Sequence, residues 1–104
     1  MERDALSDWA LRSGWRQMGE FICLTKPNKP SEAIVRLVLK ATVANVEVKK
    51  PAGNKWEKVG GAAYGAIEPD PDTGIPRGLG LVSIPGFTRL MQDNKDAQVF
   101  NSFG

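Results

Sequence analysis

The chain contains no histidine, and Cys23 is its single cysteine among 104 residues. Without histidine, serine–histidine and cysteine–histidine nucleophile pairs lack a base of near-neutral pKa and are excluded. An enzyme would be left with carboxylates and lysines, and the sequence assigns no catalytic residue. One cysteine can form neither an internal disulfide nor a Cys/His zinc site. Gly60-Gly61 and Gly78-Leu79-Gly80 do not complete G-x-G-x-x-G, and no P-loop lysine follows them, so no nucleotide cofactor is implied. Long apolar runs are missing too. No window approaches the roughly 20 apolar residues of a membrane helix. The charged start, Met1-Glu2-Arg3-Asp4, is unlike a signal peptide. The expectation is a cytoplasmic, reducing location with no membrane partner, no metal and no cofactor.

What is present is ordinary in bulk and uneven in detail. Hydrophobic residues make up 41% and charged residues 25%, which places the chain among globular proteins rather than disordered ones. A chain this long is one domain, residues 1–104, with enough length for one core. Eleven glycines and seven prolines favour a loop-rich or β-rich fold over a helix bundle.

The net charge of +2 conceals a block. Residues 21–58 carry eight cations (Lys26, Lys29, Arg36, Lys40, Lys49, Lys50, Lys55, Lys58) against Glu32, Glu47 and Glu57. Acidic residues outnumber basic ones on both sides of it. Such asymmetry points towards a nucleic-acid partner.

Leu6, Trp9 and Ala10, followed by Leu11, Trp15 and Met18, have helical spacing from Asp4 to about Met18, with Asp4 placed to cap. An alternative ends this helix at Ser13-Gly14 and begins a strand at Trp15 that runs through Leu24. Pro27-Asn28-Lys29-Pro30 reads as a turn or loop. Beyond it, β-branched residues oppose a helix that Ser31-Glu32 would otherwise cap. Val35, Leu37, Leu39, Ala41 and Val43 alternate with Arg36, Val38, Lys40 and Thr42, as in a strand. At Val46 and Val48 the phase switches, through either a β-bulge near Ala44-Asn45 or a short turn. Pro51-Ala52-Gly53-Asn54 is a turn between two strand-like runs. Residues 34 to 67 therefore read as a basic β-hairpin, whose return strand is packed closely through Gly60-Gly61.

Residues 68–78 read as a loop, Leu79 to Ile84 as a further strand, and Phe87 to about Gln92 as a helical turn. The tail, 93–104, either frays or docks through Val99, Phe100 and Phe103. The fold class expected is α+β: a mainly antiparallel sheet of four or five strands, open or partly closed into a barrel. One N-terminal helix and a short C-terminal helical turn accompany it.

Trp56 and Tyr64 are interleaved with the basic residues of the hairpin. Cations follow a phosphate backbone, and aromatic faces stack on unpaired bases. The candidate nucleic-acid-binding residues are accordingly Lys40, Lys49, Lys50, Lys55, Trp56, Lys58 and Tyr64. The competing explanation is a solvated face that blunts an edge strand, with Trp56 in the core. Asp70, Asp72 and Gly74 imitate a calcium loop, but Pro71 and the missing closing glutamate favour plain turn chemistry. Cys23, between Ile22 and Leu24, fits a buried inert thiol. Trp9 and Trp15 fit packing against the sheet better than a partner-binding helix.

Two functions follow. The first is a non-enzymatic module for single-stranded DNA or RNA that uses the basic hairpin. The second is a protein-interaction or assembly component, such as a subunit of a phage-like or multiprotein complex, self-associating or binding another protein.

Overall fold

The structure, a computed structural model, describes residues 1–50 and 52–102, with side chains as far as residue 98. A first helix, α1 (Arg3–Arg12), leads into five antiparallel strands: β1 (Arg16–Met18), β2 (Phe21–Lys26), β3 (Lys29–Leu39), β4 (Val43–Lys49) and β5 (Trp56–Ala63). The sheet order is β1-β2-β3-β4-β5, a simple meander in which each strand pairs with the next. A two-stranded ladder, β6 (Glu68–Pro69) with β7 (Pro76–Arg77), and a closing helix, α2 (Phe87–Ser102), complete the α+β fold. The five strands form an open sheet.

The helix at the start stops where glycine permits a left-handed backbone. Gly14 has φ +98° and abuts the backbone of Asn94 and Lys95, so a side chain there would be both strained and crowded. The reading that ends α1 at Ser13-Gly14 is therefore the one realised, and Trp15 lies beyond the helix. Asp4 sits in the first turn instead of capping it, since Glu2 occupies the cap position without a side-chain bond. A turn at Gly19-Glu20 divides the expected Trp15–Leu24 strand into the β1–β2 hairpin.

The Pro27–Pro30 loop contracts to a turn at Pro27-Asn28, and Pro30 already lies in β3. Between Leu39 and Val43 the chain turns, with Lys40 N–H donating to Val43 C=O at 2.9 Å. A turn, not a bulge, thus accounts for the change of phase. Residues 34–67 consequently hold three strands, not the two of a hairpin. Ala44, Val46 and Val48 take over the inward positions from Val35, Leu37 and Leu39. Irregularities lie elsewhere: Val46 pairs with Gly60 but Glu47 pairs with Lys58, leaving Val59 unpaired, and the β2–β3 register shifts on either side of Thr25.

One sheet face carries the core. Ile22, Leu24, Val35, Leu37, Ala44 and Val46 are buried there under Leu6, Trp9 and Ala10 of α1, Phe87 of α2, and the intervening Ile67, Leu79 and Leu81. Trp15 is 1% exposed and stacks at a tilt between Trp9 and Phe87, at centroid distances of 6.0 and 6.2 Å. Both tryptophans are thus core residues.

Gly60 shows why small residues follow Val59. A Cβ there would come within 1.9 Å of the Leu79 carbonyl oxygen. That approach brings residues 79–84 against β5 as an irregular segment with a 3-10 turn at Leu81–Ser83, where a strand was expected. The expected helical turn at Phe87 grows into all of α2, and the polar run from Asp93 is helical to Ser102. Asn94 anchors it: its amide donates to Thr25 C=O at 2.9 Å and to Leu90 C=O at 2.8 Å, and Thr25 Oγ1 donates to Asn94 Oδ1 at 3.3 Å. Docking through the side chains of Val99, Phe100 and Phe103 falls outside the described residues.

Candidate nucleic-acid interface

Strand alternation sends one residue in two to the face opposite the core. On that face the register aligns Arg16, Cys23, Arg36, Glu47 and Lys58 in one row across all five strands. Phe21 lies one step to one side, next to Val38, and the Lys49–Trp56 pair lies one step to the other. The core cluster does not extend here, and Arg16, Phe21, Arg36, Val38, Glu47, Lys49 and Trp56 are all partly exposed.

Arg36 organises the row. Its guanidinium carbon lies 4.2 Å from the ring centroid of Phe21 and 4.2 Å from that of Trp56, over both faces. Its Nε donates to Glu47 Oε1 at 2.6 Å, a short charge-assisted bond within a half-buried pair. The carboxylate holds the fork in place and the rings hold its plane, so side-chain freedom is lost before any ligand arrives. The remaining guanidinium N–H groups form no side-chain bond among the described residues. Four cations, Arg16, Arg36, Lys49 and Lys58, meet one carboxylate, Glu47, on this surface.

Cys23 is buried in the same row, 3% exposed. Burial pushes its thiol pKa up, partly opposed by the charge of Arg36, so it remains a thiol and a packing residue.

No family model, curated protein or solved structure matches this chain. The surface therefore has to be read from its own chemistry.

The seven residues chosen from sequence are not brought together. Lys49, Trp56 and Lys58 share the open face. Lys55 is exposed just before β5, and its carbonyl accepts the Lys50 N–H at 3.0 Å. Lys50 leans towards Glu57, 3.8 Å away, on the side of the hairpin opposite Trp56. Lys40 and Tyr64 lie at the other end of β5, roughly 25 Å from Trp56 at strand spacing. The Tyr64 hydroxyl donates to Lys40 C=O at 2.5 Å and its ring packs against the core, so this aromatic is structural. Burial also raises its pKa, with Arg3 opposing. Phe21, Arg36 and Arg16 were not selected from sequence. A parity signal was present, because Phe21 and Arg36 alternate with the apolar Ile22, Leu24, Val35 and Leu37.

The Asp70 loop is turn chemistry. Asp70 Oδ1 accepts the backbone N–H groups of Asp72 and Thr73 at 2.8 and 3.0 Å, and these bonds lower its pKa. Among the described residues no group of three or more metal-ligating side chains forms. No helix among them is long and apolar enough to cross a membrane.

Proposed function

We propose that the open face of the sheet binds single-stranded nucleic acid and performs no catalysis. Phe21 and Trp56 stack on bases, while Arg16, Arg36, Lys49 and Lys58 contact phosphates. The observation that carries this reading is the Arg36 guanidinium, 4.2 Å from both ring centroids, on an uncovered and predominantly cationic sheet face. Stacking requires bases whose faces are free, which an unpaired strand offers and a duplex does not. Glu47 fits the same reading, since its second carboxylate oxygen is an acceptor for base-edge amino groups. A cytosolic location accompanies the proposal and suits the buried, reduced Cys23.

Fluorescence anisotropy with short single-stranded and duplex probes tests it. Four phosphate contacts give a slope of log affinity against log salt of about −3 for a single strand. Loss of one stacking ring in Trp56→Ala weakens binding by about 1–3 kcal/mol, roughly 5- to 150-fold. Lys40→Ala, at the far end of β5, leaves affinity within about twofold. Absence of binding at about 50 mM salt, or binding without salt dependence, refutes the proposal.

A protein-assembly role is favoured by a different feature. An apolar cleft of about 260 Å³ lies between Val48, Val59, Ile84 and Pro85 at the β5 edge, and Val59 is 44% exposed. Light scattering of the native chain and Val59→Lys separates the readings: a monomer in both excludes assembly through this cleft.

A further inference from the structure

Beyond the last row of the open face, two turns approach one another. The β2–β3 turn brings Lys26 and Glu32, and the β4–β5 connection brings Lys49, Lys50 and Gly53, around a cleft of about 180 Å³ floored in part by Ile34. The lining residues are unequal in charge: three lysines and one glutamate. That carboxylate is already committed. Glu32 lies 2.7 Å from Lys26 Nζ and 3.0 Å from Lys29 Nζ, and these hydrogen bonds hold its pKa down to about 2. The Lys50 ammonium is only loosely engaged, 3.8 Å from Glu57. Lys49 belongs to both surfaces, because it pairs with Trp56 on the open face and also lines the cleft.

We infer that this cleft is a binding site for a phosphate monoester dianion, either the terminal phosphate of a strand or the free ion. The charges match: lysines 26, 49 and 50 against Glu32 leave a surplus of two positive charges, and a phosphate monoester carries about −1.5 to −2 at neutral pH. An internal phosphodiester carries a single charge and would use half of that surplus. Position matches as well, since Lys49 lines the cleft and is the cross-strand partner of Trp56 at the sheet's end, where a strand running along the open face would terminate. For the strand-terminal source, the inference rests on the nucleic-acid reading of the open face. For the free ion it does not.

The test compares one oligonucleotide with a 5′-phosphate, a 3′-phosphate and hydroxyl ends, by anisotropy, together with inorganic phosphate titrated into the ¹⁵N-labelled full chain. One phosphorylated end should bind roughly tenfold tighter than the hydroxyl form, the scale of one added charge-assisted contact. Lys26→Gln/Lys50→Gln should abolish that preference while still binding the hydroxyl probe, and Lys40→Gln should retain it. Equal affinity for all three ends, with binding intact and no saturable shifts on adding inorganic phosphate, overturns the inference and leaves the open-face proposal standing. A Lys40→Gln loss as large as that of the double variant also overturns it, because general charge would then be the cause. If no oligonucleotide binds, the open-face proposal fails, and inorganic phosphate decides alone. Saturable amide shifts centred on Ala33 and Gly53 support the site, whereas shifts that are absent or spread over the open face refute it.

Discussion

Replacing Gly60 by alanine tests the packing that closes the molecule. The added Cβ would lie 1.9 Å from Leu79 O and 2.9 Å from Leu79 C, whereas Cβ contacts below 3.0 Å essentially do not occur. Both obstructing atoms are backbone, and Leu79 is fully buried, so no flexible side chain can yield. Relief requires the Leu79–Gly80 segment to move away from β5 by about 1 Å, which disturbs Leu79 and Leu81 in the core they share with Trp15 and Phe87. Overpacking of this kind costs about 1–3 kcal/mol, and a rigid obstacle places it near the top of that range. The reduced freedom of the unfolded chain returns about 0.4–1 kcal/mol. The net is a destabilisation of about 2 kcal/mol, or a fall in Tm of roughly 10 °C for a chain of this size. Urea and thermal unfolding followed by circular dichroism measure it. Gly65→Ala is the control, because no atom lies within 4 Å of its Cβ and its φ is not in the left-handed region. A Gly60→Ala variant that melts within about 2 °C of the native chain would refute the contact between residues 79–80 and β5.

Two further outcomes are expected. Asn94→Ala strips the Thr25 carbonyl of its buried side-chain donor and should cost about 1–3 kcal/mol in urea unfolding, with α2 losing amide-exchange protection first. Glu32, depressed to about 2 by Lys26 and Lys29, contributes stability that is fully present above its unfolded value near 4.5 and is lost as pH falls through 2. The stability difference between the native chain and Glu32→Gln should therefore be constant above about pH 5 and vanish between about pH 4.5 and 2, with a carboxyl NMR midpoint near 2.

The class of fold was legible because burial on one face leaves a period of two in Val35, Leu37 and Leu39, and again in Ala44, Val46 and Val48. What separated those two sets was not legible. A single inserted residue and a tight turn shift the phase identically, and only the Lys40–Val43 hydrogen bond shows which occurred. Leu79 to Ile84 failed for another reason: its apolar residues are drawn inward by the gap at Gly60, a tertiary contact that overrides local strand preference. The candidate site was half legible. Charge and aromaticity point to Lys49, Trp56 and Lys58, but nearness in sequence also groups Lys40 and Tyr64 with them, although β5 separates them along its length. Arg36 and Phe21 do not stand out in the sequence because their juxtaposition lies in cross-strand register, which composition does not carry.

The meander has a consequence for how the molecule is made. The charged and aromatic residues named on the open face lie between positions 16 and 58, and each strand pairs only with its chain neighbours. Closing these loops costs little entropy, so this sheet face belongs to the rapidly formed part of the topology. The ties across the core face are of another kind. Asn94 reaches back 69 residues to Thr25, and Gln98 reaches back 84 to the Gly14 carbonyl. Residues 16–58 are synthesised before α2, one of the two helices that cover the apolar side of the same sheet. The meander is thus expected to form first, and the hydrophobic side to be sealed as α2 docks.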